Sequence, residues 1–193
     1  MQFALSYVKE GHKMLIFISG VHGSGKSYFC KKVKAELGIE VFSASLLIAE
    51  SKQAGFSKDK LIPDIDENQK YLLLAIQKLN TAKSPYLLDG HFCLLDGQGS
   101  VTRIPKETFS ALKPIAIVLL TEKSNVIAER RKQRDNIDHD VCKIEAFQSE
   151  ETGYAIEIAE ELGIPIKISI GESDLDDTLD FIRATMRRMQ NGR

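Results

Sequence analysis

The chain has 193 residues, a formal net charge of −1 and 43% hydrophobic residues. That length fits one domain with a sizeable core, and the near-neutral charge argues against nucleic acid or an anionic membrane surface as a partner. No apolar run approaches the roughly 20 residues that cross a bilayer, and residues 1–13 lack the features of a signal peptide. We therefore expect a cytoplasmic protein with no membrane partner.

The three cysteines, Cys30, Cys93 and Cys142, lie far apart and form no metal-binding spacing. The four histidines form no close cluster either. These patterns indicate packed free thiols in a reducing compartment and give no reason to expect bound zinc.

The first predicted strand is the apolar run from Met14 to Ser19. Residues 1–13 precede it without a clear pattern, so they are either a short N-terminal extension or lie before a natural start at Met14. A glycine-rich loop follows the strand, and residues 28–37 then predict a helix that Gly38 ends. Strand, glycine loop and helix form the context in which phosphate-binding loops occur.

The loop itself, GVHGSGKS, matches the phosphate-binding pattern G-x-x-x-x-G-K-[ST] at every fixed position. Its glycines let the backbone fold around a phosphate and direct N–H groups at the anion, at the positive end of a helix dipole. Lys26 supplies a cation to the outer phosphates, and the Ser27 hydroxyl suits a Mg²⁺ ligand. We therefore predict that ATP and Mg²⁺ bind here. The predicted nucleotide-binding residues are Gly20, Val21, His22, Gly23, Ser24, Gly25, Lys26, Ser27 and Tyr28.

A second strand is predicted over residues 39–42, followed by a short helix from Ser43 to Ala54 that Gly55 ends. Residues 56–65 are polar and rich in lysine, which is typical of an exposed connection.

A longer helix is predicted from Asp66, which resembles a capping box together with Gln69. Its apolar face would consist of Leu72, Leu73, Ile76 and Leu79.

Residues 85–90 predict a third strand that ends in the carboxylate of Asp89. Residues 91–95 and 100–104 flank a turn that contains glycine, so they predict a hairpin. A short helix is expected over residues 106–112.

Residues 114–120 are the most apolar run of the chain, which indicates a strand buried on both faces of a parallel sheet. One helix is predicted from Ser124 to Arg134 and another from Asp138 or His139 onward. A last strand over residues 165–170 and a final helix complete the chain.

The alternation of strands and helices predicts an α/β, three-layer P-loop NTPase fold with a five-stranded parallel sheet and helices on both faces, in one domain over residues 1–193. Ligands in such folds bind at the carboxyl ends of the strands. Asp89 lies at that edge, where it could hold Mg²⁺ through water or accept the proton of an acceptor hydroxyl. The alternative is that it only caps a turn with Gly90.

Arg130 and Arg134 lie four residues apart, on one face of the predicted helix. Arginines that close over the phosphates stabilise the charge of a phosphoryl-transfer transition state. The alternative is that these cations complement the dipole at the helix C-terminus.

Together with the loop, residues 87–90 and the pair Arg130 and Arg134 resemble the P-loop nucleoside monophosphate kinases, most closely the archaeal type of adenylate kinase. The resemblance implies transfer of the γ-phosphoryl group of ATP to a nucleoside monophosphate. It implies catalytic roles for Lys26, Asp89, Arg130 and Arg134, with Ser27 and Asp89 organising the metal.

The resemblance also implies that residues 43–65 bind the acceptor and that residues 130–140 form a lid. Arg130 would lie against the adenine, Arg134 would reach the phosphates, and the loop at Gly171 would pass near the donor base. The archaeal type further suggests a homo-oligomer.

The acceptor region departs from this family, because residues 43–65 contain Lys52, Lys58 and Lys60 but no arginine. Lysine does not replace the bidentate grip of arginine on a phosphate. Other acceptors therefore stay open, namely a nucleoside, a metabolite hydroxyl or a polynucleotide end, as does a nucleotide-gated binding module. Arg103 is a further candidate to close over the transferred charge.

Overall fold

A computed structural model describes residues 14–52, 61–62, 64–79 and 85–191, without the side chains of residues 61, 62, 190 and 191. The predictions made for residues 1–13, for the end of the helix near Ala54 and for Lys58 and Lys60 lie outside the described residues.

The chain forms eight described strands and seven described α-helices. The strands are β1 (Leu15–Ser19), β2 (Glu40–Ser43), β3 (Leu61–Ile62), β4 (Tyr86–Asp89), β5 (Cys93–Asp96), β6 (Val101–Arg103), β7 (Ala116–Thr121) and β8 (Ile166–Ile170). The α-helices are α1 (Lys26–Leu37), α2 (Ala44–Lys52), α3 (Ile65–Lys78), α4 (Lys106–Leu112), α5 (Ser124–Asp135), α6 (Val141–Leu162) and α7 (Leu175–Asn191).

Five strands form the main sheet in the order β2-β4-β1-β7-β8, and every pair in it is parallel. The predicted five-stranded parallel sheet is therefore confirmed. Register places Asp89 beside Ile18 of β1 and Ser43 of β2, so this carboxylate lies at the carboxyl edge where the glycine loop begins.

The central strand β1 is buried along its whole length, and its residues alternate between two cores. Phe17 faces a core that includes residues of α3, α4 and α6, whereas Ile16 faces a core that includes residues of α1 and α7. This arrangement confirms helices on both faces of the sheet.

A second, smaller sheet has the order β3-β5-β6. Its antiparallel β5–β6 pair is the predicted hairpin. However, β3 was predicted as part of an exposed connection, and it instead pairs in parallel with β5, with Leu61 opposite Leu95. The apolar pair Leu61–Ile62 inside a lysine-rich stretch is a local strand signal that the composition of the whole stretch obscured.

The predicted start of α3 was wrong. The helix begins at Ile65, and the side chain of Asp64 caps it by accepting a hydrogen bond from the Glu67 N–H at 2.8 Å. Gln69 does not reach back to form a capping box, because its amide donates to the Ile65 carbonyl inside the buried face.

Two smaller expectations also differ from the structure. Helix α6 begins at Val141, since the Asp140 carboxylate caps it, and not at Asp138 or His139. Cys142 is exposed, in contrast to the buried thiols of Cys30 and Cys93. Within the described ranges, each helix is too short or too polar to cross a bilayer.

Candidate active site

The glycine loop connects β1 to α1 and wraps the position of a phosphate. Gly20 has a φ of 140°, and a Cβ atom there would lie 2.2 Å from the Leu120 carbonyl oxygen. Only glycine can therefore occupy this position without displacing the neighbouring strand. The Ser24 N–H donates to the Val21 carbonyl at 3.1 Å and closes the turn.

The lysine of the loop is held close to the backbone. Lys26 is only 8% exposed, its Nζ atom donates to the Gly20 carbonyl, and the same atom lies 3.2 Å from Nε2 of His91. Burial lowers the pKa of Lys26, while the negative charges of Asp89 and Glu151 oppose that shift. A charged lysine makes Nε2 of His91 the acceptor, which leaves the proton of a neutral His91 ring on Nδ1.

Asp89 ends β4 directly beside the loop. Its Oδ1 atom is buried without a hydrogen-bond partner in the part of the chain that the structure describes. Burial raises the pKa of Asp89, and the nearby charge of Lys26 acts in the opposite direction. An unpartnered carboxylate oxygen is costly unless a ligand, a metal-bound water or a proton satisfies it, so this atom has the character of a functional group.

A magnesium site fits the residues present at this edge. The Ser27 side chain is exposed in the first turn of α1 and lines the same cavity as Asp89. Among the described residues, no three histidine, cysteine, aspartate or glutamate side chains come together as a self-sufficient metal site. Mg²⁺ commonly binds through one or two protein oxygens with phosphates and waters completing its shell, and Ser27 with Asp89 supplies that minimum.

Helix α5 brings two arginines to the glycine loop and a third to the cavity wall. Arg131 donates from Nε to the His22 carbonyl at 2.8 Å, and Arg130 donates to the Gly23 carbonyl at 3.2 Å. Arg134 pairs with its neighbour Asp135 and still lines the cavity. The structure therefore places Arg130 against the loop and Arg134 in the cavity wall, and it adds Arg131, which the sequence analysis passed over.

Two histidines meet above the loop lysine. The ring centroids of His22 and His91 lie 4.7 Å apart, with the ring planes tilted by 50°. One ring belongs to the glycine loop and the other to the segment after Asp89, so their contact connects the two halves of the site.

Glu151 lies beneath this site, and the sequence analysis did not identify it. Its carboxylate has no exposed surface and accepts hydrogen bonds from the Ser19 hydroxyl and from the N–H groups of Phe92 and Cys93. Burial raises the pKa of Glu151, and the hydrogen bonds from Ser19, Phe92 and Cys93 oppose that shift. One side chain of α6 thus fastens the segment after Asp89 to the end of β1.

A cavity of about 770 Å³ opens between the glycine loop, α2, α3 and α4. Lys26, Ser27 and Asp89 line one end of it, together with the three arginines of α5. The cavity extends well beyond the loop, to Asn68 on α3 and Thr108 on α4.

A second cavity of about 290 Å³ lies on the other side of Arg130. Its wall includes Tyr28, Glu122 and Gly171. Tyr28 is 57% exposed and lines both cavities, as does Arg130. The structure thus places Arg130 and Gly171 in one pocket beside the loop, and binding of the donor base there stays a prediction.

Arg103 does not reach this site, so the suggestion that it closes over the transferred charge was wrong. Its guanidinium pairs with Glu150 and Glu157 of α6 and packs on the ring of Tyr154. These contacts hold Arg103 on the outer side of the hairpin, away from the residues that line the cavity.

Comparison with known proteins identifies a family and many similar structures, two of which are described below. A family model described as an AAA domain matches residues 19–148, which is more than half of the chain. No curated protein matches the chain at the threshold of these comparisons.

The two structures are similar over nearly the whole chain. An uncharacterized protein from Eubacterium ventriosum ATCC 27560 is 16% identical with a TM-score of 0.50, over 89% of this chain and 97% of that chain. A gluconokinase from Sinorhizobium meliloti 1021 is also 16% identical with a TM-score of 0.50, over 92% of this chain and 95% of that chain. At this identity the similarity demonstrates a shared fold.

Proposed function

Because this chain belongs to the AAA domain family of P-loop NTPases, we propose that it is a kinase that transfers the γ-phosphoryl group of ATP to a small acceptor. The observation that carries the proposal is the extent of the large cavity. Its lining includes the glycine loop, Asp89 and the arginines of α5, and also residues of α2, α3, α4 and β5, which we call the acceptor compartment. Hydrolysis alone requires no such compartment.

The donor end is suited to stabilise a phosphoryl group during its transfer. Lys26, the loop N–H groups and the arginines Arg130, Arg131 and Arg134 surround the place where the outer phosphates would lie. Positioned cations and N–H groups are the main source of catalysis in phosphoryl transfer, because charge spreads over the equatorial oxygens in the transition state.

Lys26 changes partners when ATP binds. In the structure its ammonium group is satisfied by the Gly20 carbonyl and lies beside His91. Phosphate oxygens are stronger acceptors than a neutral carbonyl or imidazole, so the ammonium group turns towards them.

Mg²⁺ is held in this proposal by the Ser27 hydroxyl and by Asp89, directly or through water. When bound, the ion neutralises charge on the phosphates and orients them. Asp89 also borders the acceptor compartment, so its carboxylate is placed to take a proton from an attacking hydroxyl.

The smaller cavity supports ATP as the donor. Its wall of Tyr28, Arg130 and Gly171 adjoins the glycine loop, and a guanidinium group can stack on a planar base. Glu122 accepts a hydrogen bond from Arg130 at 3.2 Å and holds that arginine at the wall.

The finer hypothesis is a nucleoside monophosphate acceptor, as in adenylate kinase. The order of elements and the arginines of α5 support it. A small acceptor of some kind is also consistent with the fold, since a gluconokinase shares it. No comparison bears on the archaeal type of adenylate kinase or on oligomeric state.

The test is a transfer assay with γ-labelled ATP, Mg²⁺ and separate panels of nucleoside monophosphates, nucleosides and sugar acids. We expect label to appear on one acceptor, and we expect omission of Mg²⁺ or the substitution Lys26→Ala to abolish transfer. Release of labelled inorganic phosphate alone, with every panel unlabelled, would contradict a kinase. If partner proteins then bind according to nucleotide state without any turnover, the chain is a nucleotide-gated module.

A further inference from the structure

We propose that the acceptor is an uncharged nucleoside whose base is held by Asn68, and not a nucleoside monophosphate. This inference rests on the kinase function proposed above and names the acceptor of that same cavity.

The described lysine and arginine residues that line the large cavity are all at its donor end. Its lysine and arginines are Lys26, Arg130, Arg131 and Arg134, which belong to the glycine loop and to α5. In the acceptor compartment, every described residue contributed by α2, α3, α4 and β5 is uncharged. A phosphate carried into that compartment would lose its hydration without gaining a cationic partner from these elements.

One cation on these elements, Lys52, is engaged with other residues. Lys52 at the end of α2 lies 3.5 Å from the Glu67 carboxylate and 5.0 Å from the centre of the Tyr71 ring, and it does not line the cavity. In the described part of the chain, these elements therefore present hydroxyl and amide groups to the acceptor, but no cationic side chain that could bind a phosphate.

Asn68 is the polar group that the acceptor compartment leaves open. It is 4% exposed on the inner face of α3, and its Oδ1 atom has no hydrogen-bond partner among the residues that the structure describes. Its neighbour Gln69 is different, because the Gln69 amide donates to the Ile65 carbonyl of its own helix. A buried amide oxygen without a partner is expensive, so it selects a ligand that donates an N–H or O–H group.

The walls around Asn68 favour a flat, mostly apolar body. Leu72, Leu94 and Ile48 line the compartment. The rings of Phe17 and Phe109 also line it, edge to face, with their centroids 5.5 Å apart. A polyol would leave many hydroxyl groups unpaired against such walls, whereas a nucleobase presents two apolar faces and a polar edge. The edge of the base donates to Asn68 and its faces contact the aliphatic side chains.

The chemistry at Asp89 agrees with a hydroxyl acceptor. The nucleoside hydroxyl oxygen forms a bond to the γ-phosphorus while the bond from that phosphorus to the β,γ-bridging oxygen breaks, and ADP leaves with the electron pair. The hydroxyl proton passes to the Asp89 carboxylate.

The experiment compares each common ribonucleoside and deoxyribonucleoside with its own 5′-monophosphate as acceptor, using ATP and Mg²⁺. We expect at least one nucleoside to be phosphorylated with a kcat/KM at least tenfold above that of the matched monophosphate. Asn68→Leu keeps the side-chain volume but removes the amide, so it should raise KM for the nucleoside about tenfold and leave KM for ATP unchanged. The matched control is Asn125→Leu on the exposed side of α5, which should change neither constant.

Binding to a non-hydrolysable ATP complex, followed by calorimetry, is a second measurement that does not depend on turnover. We expect the preferred nucleoside to bind this complex, and Asn68→Asp, which keeps an accepting oxygen in place, to retain more of that affinity than Asn68→Leu. Equal loss in both variants would overturn the role of Asn68.

Two outcomes overturn the acceptor while leaving the kinase intact. One is preferential phosphorylation of the monophosphates, and the other is phosphorylation of another panel member with every nucleoside inert. A protein that does not bind ATP, or that only hydrolyses it, contradicts the proposed function itself. The two failures are therefore separable.

Discussion

The donor end of the large cavity comes from one continuous loop and one helix, whereas the acceptor end comes from single side chains on several elements. The donor end gathers Lys26 and three arginines around the glycine loop, and the acceptor compartment is uncharged over its described residues. This difference indicates two modes of recognition. In the proposed function, charge and backbone N–H groups would hold the triphosphate, while shape and one buried amide would select the acceptor.

The two ends are mechanically joined at the segment from Asp89 to Cys93. Asp89 and His91 line the cavity beside Lys26, and the Glu151 carboxylate accepts hydrogen bonds from the next two N–H groups. Hydrogen bonds that hold this segment fix the positions of the reacting groups. Such positioning matters because misplacement by about 1 Å can lower the rate by two orders of magnitude.

The largest expected effect is at the lysine of the loop. Lys26→Ala removes the mobile cation from the donor end, and we expect transfer to fall by about 10³-fold. The measurement is kcat for labelled transfer. Lys31→Ala on the exposed side of α1 is the matched control and should retain full activity.

The next effect is at Asp89, where activity and stability should change in opposite directions. Asp89→Asn removes the proton acceptor, so transfer should fall by about 10²-fold. Because burial raises the pKa of Asp89, the folded state disfavours its charge. The variant should therefore be more stable than the wild type at neutral pH, by about 1 kcal/mol.

The pH dependence gives the sign of this stability effect. The carboxylate of Asp89 destabilises the fold only where it is ionised in the unfolded chain, which begins near pH 4. The advantage of Asp89→Asn should be absent below that pH, grow as the pH rises through the raised pKa, and then stay constant. Denaturant unfolding without Mg²⁺ measures it, with Asp177→Asn as an exposed control; an advantage that grows at lower pH would contradict the assignment.

A third effect tests the segment from Asp89 to Cys93, which connects the two ends and is held by Glu151. Glu151→Gln replaces one accepting oxygen by an NH₂ group that faces the N–H donors of Phe92 and Cys93, so the free energy of unfolding should fall by about 2 kcal/mol. Glu145→Gln, on the exposed side of the same helix, should leave it unchanged. If Glu151 positions the segment, kcat should also fall in the folded variant while KM for ATP is maintained.

The smallest effect distinguishes the arginines of α5. Arg131 bonds the His22 carbonyl, whereas Arg134 is paired with Asp135. Arg131→Ala should therefore lower kcat/KM for ATP about tenfold, which corresponds to one charge-assisted hydrogen bond. Arg134→Ala should have a smaller effect in the same assay, and the reverse order would assign the phosphate contact to Arg134.

Local patterns in the sequence predicted the sheet, the glycine loop and Asp89, because each depends on neighbouring residues. Glu151 was missed although a signal exists: it falls on the apolar face of α6, four residues after Phe147 and three before Tyr154. A glutamate at such a position needs buried hydrogen-bond donors, and those donors lie 58 and 59 residues away in the chain. Asn68 is a second polar residue on a buried helix face, because it follows the buried Ile65 by three residues on α3.

Other errors have the same origin. Arg103 was assigned to the site because of its place in the order of motifs, but its partners are carboxylates of α6 that only the folded hairpin brings near. Asp66 looked like a cap because Gln69 follows at the correct spacing, yet Asp64 lies two residues earlier and makes the bond. Contacts between distant segments, and competition between nearby caps, are not visible in a local pattern.

Tyr28 stands at the mouth of both cavities, and the chain contains no tryptophan. Tyr28→Trp would therefore create a protein with a single indole at the boundary of the two cavities. Its fluorescence emission would depend on the polarity on either side of the ring, so filling of the cavities could be followed in stopped-flow mixing. The order in which the two substrates bind would then be read from one optical signal.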